Sequence, residues 1–159
     1  MMDRKLSLIV IAVAVALIVA GGYLIMSNPG NVDVSGDSLK IPLKTQDFKI
    51  FEINAPEGSN LTVKNEAGGM KYYQNDGNYS DRLSGIIINK GLTESLIGDN
   101  SELISNSSSE QIYSFNLKNK TNYKCVSSHD GVDVIVMGDD LNLLKEVSNT
   151  VKIKDADAL

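Results

Sequence analysis

The feature that most constrains this chain is near its start. Residues 6–26 form a 21-residue run with no charged side chain. As a helix rising about 1.5 Å per residue it is roughly 31 Å long, enough to cross the hydrocarbon core of a bilayer. Arg4 and Lys5 precede the run, opposed only by Asp3. Positive flanks stay on the cytoplasmic side. The run therefore reads as a single-pass signal-anchor, with a cytoplasmic flank at 1–5 and the rest of the chain extracytoplasmic. Tyr23 falls at the outer interface, where aromatic side chains collect. A cleaved signal peptide is the competing reading, with Ala20, Gly21 and Gly22 as the cleavage zone. A signal core is ordinarily about 7–15 residues, and here apolar character resumes after the glycines in Tyr23, Leu24, Ile25 and Met26. A buried core helix is the third reading.

Removing the anchor and its flank leaves about 130 residues, which suits one domain with an ordinary core. The net charge is −5; the flank contributes +1, leaving the remainder at −6. An acidic surface without a basic patch argues against nucleic acid and against anionic headgroups as partners. The only cysteine is Cys125. It excludes an internal disulfide and a lipid-anchored cysteine after the apolar run, and it reads as a buried, inert thiol on a strand.

Residues 27–46 read as a flexible linker. Ser27-Asn28-Pro29-Gly30-Asn31 and Ser35-Gly36-Asp37-Ser38 are clusters of turn formers. A short edge strand at 39–43 is limited by Pro42. The β-rich domain is expected over 47–154. Phe48-Lys49-Ile50-Phe51-Glu52-Ile53 reads as a strand with a parity change, followed by a Pro-containing turn. Leu61-Thr62-Val63, residues 70–73 and the β-branched Gly85-Ile86-Ile87-Ile88-Asn89 continue the sheet. Thr93 is placed to cap a helical turn that Gly98 stops. Residues 105–109 read as a polar loop. Tyr113, Phe115 and Leu117 alternate with polar residues, as a half-buried strand does. Asp130-Gly131 is a hairpin signal between 123–127 and 132–137. Val132-Asp133-Val134-Ile135-Val136-Met137 is apolar on both sides except at Asp133, which calls for a cover on both faces. A helix capped by Asp139 or Asp140 supplies one cover, with Leu143, Leu144 and Val147 facing the sheet. Residues 155–159 read as a fraying tail.

Three runs carry a resemblance: Phe51-Glu52-Ile53-Asn54-Ala55-Pro56-Glu57-Gly58-Ser59, residues 123–137, and Gly138-Asp139-Asp140-Leu141 opening the final helix. Together they resemble small membrane-anchored extracytoplasmic proteins of methanogenic archaea. The likeness spans about 48–154 and implies an antiparallel sheet layered with helices, similar to the PsbP/Mog type. It implies no catalytic residues.

Candidate chemistry is sparse. His129 is the sole histidine. A Ser-His-Asp reading would join it to Ser127 or Ser128 and Asp130, but neighbours within one hairpin seldom align a nucleophile, a base and an orienting carboxylate. One Cys and one His do not make a zinc set. Asp130, Asp133, Asp139 and Asp140 are close in sequence, yet calcium needs six to eight converging oxygens, and Asp139 and Asp140 are placed to complement a helix start. Asn75-Asp76-Gly77-Asn78 with Asp81 lacks the spacing of an EF-hand loop. A glycosidase carboxylate pair has no distinctive candidate, and tryptophan is absent. Four Asn-x-Ser/Thr sequons, at Asn60, Asn78, Asn106 and Asn119, are candidate glycosylation acceptors in or near loops.

The expected fold class is α+β: one N-terminal transmembrane helix, then a mainly antiparallel β-sheet domain with a C-terminal helix packed on the sheet. The expected function is a membrane-tethered, non-enzymatic interaction or accessory domain without a cofactor, metal or catalytic site. Its partners are the lipid bilayer, through 6–26, and a membrane or envelope protein. A pilin-like or envelope-assembly subunit and an extracytoplasmic hydrolase are the alternatives.

Overall fold

A computed structural model describes residues 41–159 of the chain. The elements in order are β1 (Leu43–Asp47), β2 (Phe51–Pro56), β3 (Leu61–Ala67), β4 (Met70–Asn75), β5 (Gly85–Asn89), α1 (Thr93–Ile97), β6 (Glu102–Asn106), β7 (Glu110–Leu117), β8 (Lys120–His129), β9 (Val132–Gly138), α2 (Leu141–Ser148) and β10 (Lys152–Ile153). Ten strands and two short helices correct the expected α+β class: the described residues form a mainly β fold. The helices are 5 and 8 residues long, too short to form a layer of their own. No helix among the described residues is long and apolar enough to cross a membrane, and the run 6–26 lies outside them. The physical reason for the corrected class is the balance of elements: the two helices hold few residues beside ten paired strands, so sheet packing and not helix packing builds the core.

Seven strands form one antiparallel sheet in the order β3-β4-β5-β9-β8-β7-β6. It consists of two meanders, β3-β4-β5 and β6-β7-β8-β9, joined at the β5–β9 pair. Three of its hairpins close through two-residue turns with positive φ at both positions: Gly68-Gly69 (61°, 84°), Lys118-Asn119 (47°, 65°) and Asp130-Gly131 (51°, 79°). That is the type I′ signature, whose twist matches the twist of the flanking strands. Each turn sets a register: Ala67 opposite Met70, Leu117 opposite Lys120, and His129 opposite Val132.

Alternation sorts the residues onto two faces. Tyr73, Ile86, Ile88, Ile112, Cys125, Val132, Val134 and Val136 point to one face. It is covered by a second sheet, β1-β2-β10, and by α2. Phe51 is the main contact between the sheets. Its ring is 4.7 Å from that of Phe48 and 4.9 Å, edge-on, from Tyr73. The apparent parity change near Ile50 has a simple cause: Ile50 precedes β2, and β2 itself alternates from Phe51 to Ala55. Asp140 caps α2 by accepting from the Leu143 amide at 3.1 Å, and Leu143, Leu144 and Val147 are buried. Met70, Tyr72, Ile87, Val126, Ile135 and Met137 point to the other face, where Leu92 and Leu96 of the α1 segment cover part of them.

The first strand is Leu43–Asp47, inside the stretch read as linker; residues 27–40 lie outside the described ones. The last residues form a 3-10 turn, Ala156–Ala158, and Ala156, Ala158 and Leu159 pack against the core rather than fraying. β6 ends inside the stretch 105–109 read as a loop, taking Ser105 and Asn106 from it. All five of its residues are exposed, so no burial pattern marked it.

Backbone packing is tightest where β9 leaves the sheet. A Cβ on Gly138 would lie 1.9 Å from the Arg82 carbonyl oxygen. Gly138→Ala is expected to destabilise the protein by about 2–3 kcal/mol or more through forced backbone displacement, measured by chemical denaturation.

Candidate functional site

The four sequons fall at loops or strand ends, and all four asparagines are exposed. Asn60 precedes β3, Asn78 lies in the β4–β5 connection, Asn106 ends β6, and Asn119 is the second residue of a type I′ turn. The segment 75–81, weighed as a calcium loop from its sequence, has another explanation. Asn75 is buried, and its amide organises the connection. Its Oδ1 accepts from the amides of Asn60 (2.9 Å) and Gly77 (3.0 Å), and its Nδ2 donates to the carbonyls of Asn78 (3.0 Å) and Leu83 (3.0 Å). Asp76 is held by Lys64 at 2.7 Å and by the Thr62 hydroxyl at 2.6 Å, and these bonds pull its carboxyl below the usual range. The polar groups of Asn75 and Asp76 are thus committed to β3 and to the two connections flanking it and β4. Among the described residues no group of three or more His, Cys, Asp or Glu side chains is placed to hold a metal ion.

His129 and Ser127 do meet. They are two apart on β8, so they share a face, and Ser127 Oγ lies 2.8 Å from His129 Nε2. The same hydroxyl is 3.1 Å from Ser148 Oγ at the end of α2. Ser128 points to the opposite face, beside Asp133. Asp130 is in the turn. Among the described residues no side chain hydrogen-bonds the second ring nitrogen of His129, so Asp130 does not complete the Ser-His-Asp arrangement weighed from the sequence. Ser127 is only 7% exposed. The pair therefore acts as a polar fastener between β8 and the end of α2. Glu110 sits opposite Ser127 with one carboxylate oxygen buried and unpaired. Beside it, the Cys125 thiol is pushed up to about 12, first by burial and then by the Glu110 charge, against the opposing pull of Lys145. It stays protonated and non-nucleophilic at neutral pH.

The second polar constellation, on the opposite face, was not read from the sequence. It fastens α1 at both ends. At the start, Asn89 is fully buried; its Oδ1 accepts from the Leu92 amide at 3.1 Å and from the Thr93 hydroxyl at 3.2 Å. Thr93 also bonds the Asp133 carboxylate, which explains the one acidic residue in an otherwise apolar strand. Thr93 is thus the first helical residue and not the expected cap; Leu92 holds the cap position without a side-chain bond. At the far end the Lys124 amine bonds the carbonyls of Leu96 and Ile97, the last two residues of α1, with Ser101 Oγ at 3.5 Å and the Phe115 ring centre at 4.9 Å. A cation at a helix C-terminus opposes the partial negative charge there. Lys124 is only 5% exposed, and burial lowers its pKa to about 8. The signal for it in the sequence was a lysine at an inward position of a strand, which ordinarily reads as a surface residue.

Burial of Lys124 has a pH signature. Its folded pKa of about 8 lies below the ordinary 10.5, so between these values the unfolded chain binds more protons and stability rises with pH. The stability of the parent minus that of Lys124→Met is expected to be flat below pH 8. It should then climb by up to about 1.4 kcal/mol per pH unit towards pH 10, measured by urea denaturation. Cys125 should resist a thiol reagent at pH 8 in the native protein and react fully once the protein is unfolded, as followed by labelling kinetics. No protein-family model matches the chain, and no curated protein matches it.

Proposed function

We propose that this chain is a membrane-tethered interaction domain without catalytic activity. Residues 6–26 hold it in the cell membrane in a single pass, with the N-terminus cytoplasmic and the β-rich domain extracytoplasmic. The observation that carries the reading is the charge-free run 6–26 behind Arg4 and Lys5, followed by an acidic domain. Tethering raises the effective concentration of such a domain near membrane partners, so weak contacts suffice.

The contact surface this reading favours is β6, an edge of the seven-stranded sheet. Leu103 and Ile104 are 46% and 47% exposed there, side by side. The register of β6 on β7 shifts between Leu103 and Ser105, leaving Ile104 as a bulge. A bulge hinders addition of a further strand, so the partner is engaged through these side chains and not through the backbone ladder. A hydrolase reading rests on the Ser127–His129 contact, but it requires a substrate to reach a hydroxyl shielded between β8 and α2.

Crosslinking in intact membranes, followed by identification of neighbours, tests the proposal. A specific membrane or envelope protein should be captured by the parent and lost, by at least about tenfold on the scale of a dominant contact, in the double variant Leu103→Lys with Ile104→Lys. Recovery of no specific neighbour, or of the full-length chain as a freely soluble species, overturns it. A mature mass showing removal of residues before Leu6 would favour the envelope-assembly alternative.

A further inference from the structure

The four sequons are alike in sequence and unlike in the fold. An acceptor asparagine needs a free side-chain amide, a free hydroxyl two residues on and space for a bulky glycan. At Asn60 the backbone is tied on both sides: its amide donates to Asn75 Oδ1 and its carbonyl accepts from the Asp76 amide. The Thr62 hydroxyl is committed to Asp76 at 2.6 Å, and Leu61 between them is buried. At Asn78 the amide donates to the Gly58 carbonyl, and the Asn78 carbonyl accepts from Asn75 Nδ2. Its side chain lies over Gly58, with Nδ2 2.5 Å from where a Cβ would stand. Ser80, two residues on, is half-buried.

Asn119 differs at the acceptor amide, at the hydroxyl and in the exposure of the middle residue, while Lys120 and Thr121 begin β8 and Lys120 pairs with Asp139. It stands at the tip of the β7–β8 hairpin with φ 65°, and Asn119, Lys120 and Thr121 are all exposed. Among the described residues neither the Asn119 amide nor the Thr121 hydroxyl has a hydrogen-bond partner. Asn106 is the intermediate case. Ser108 is exposed and unbonded, but Asn106 Oδ1 accepts from Gln111 Nε2 at 3.5 Å.

We infer that Asn119 is a site of N-glycosylation, and that Asn60 and Asn78 are excluded from it by the fold. The inference rests on the extracytoplasmic orientation proposed above. The step joins Asn119 Nδ2 to the anomeric carbon of an activated glycosyl phosphate donor. The carbon–oxygen bond to phosphate breaks, the phosphate leaves with its electron pair, and the amide gives up one proton.

The test is peptide mass spectrometry on the full-length chain purified from the membranes of the organism that makes it. The Asn119 peptide should carry a sugar mass while the Asn60 and Asn78 peptides are bare. Thr121→Ala, which removes the sequon and leaves the turn residue in place, should lose that mass. A bare Asn119 peptide, or a glycan on Asn60 or Asn78, overturns the inference. Protease treatment of intact cells separates the two proposals: a domain that is digested but bare at Asn119 refutes the glycan alone, and a domain that is shielded refutes the orientation and the glycan together.

Discussion

The fold depends on a strand pair that has no side facing water. Ile86, Ile87 and Ile88 of β5 and Val134, Ile135 and Val136 of β9 are each no more than 1% exposed, and they pair directly. A sheet with one wet face would leave half of these side chains in solvent, at a cost of roughly 1.5–3 kcal/mol for each large one. Both faces must therefore be covered, and unequal covers are used. One face takes a second sheet and α2. The other takes a five-residue helix, which is too short to be stable by itself. That is why α1 is fastened at both ends by polar groups, Asn89 and Asp133 at its start and Lys124 at its finish.

The outer strands show the opposite problem. The two edges of the large sheet carry the same device, a one-residue bulge: Lys64 in β3 and Ile104 in β6. On β3 the extra residue is a charged side chain paired with Asp76, which blocks further pairing. On β6 it is apolar and exposed. Val63, next to Lys64, is exposed as well, so the two edges differ in the charge carried at the bulge and not in the presence of apolar surface.

The parts of the fold that were legible in the sequence were those set by backbone chemistry over two to six residues. Asp130-Gly131, the run 85–89 and the Asp140 cap are local signals, and the structure uses each of them. The parts that were not legible depend on distant groups. The strand character of β6 comes from pairing with β7, since its own residues face solvent throughout. Thr93 looked like a cap, and its hydroxyl is instead drawn to Asp133, forty positions away. The Ser127–His129 contact was legible as a strand spacing of two, but its burial under α2 was not, because that depends on Ser148. Lys124 was marked only by its inward strand position, because its main partners are backbone carbonyls, which carry no sequence mark.

The small sheet has a topological consequence. Its middle strand, β2, is flanked by the first strand of the domain on one side and the last on the other. Lys154 near the end of the chain bonds Asp47 at the end of β1, so the two termini of the domain are clasped together. Asp47 and Lys154 are 107 positions apart, so the clasp can close only once both segments have been made. Until then the Phe51 side of the core lacks its rim. A rearranged gene that fused position 159 to position 41 and opened the chain elsewhere would keep both clasp residues, with the new joint linking the two strands that flank β2.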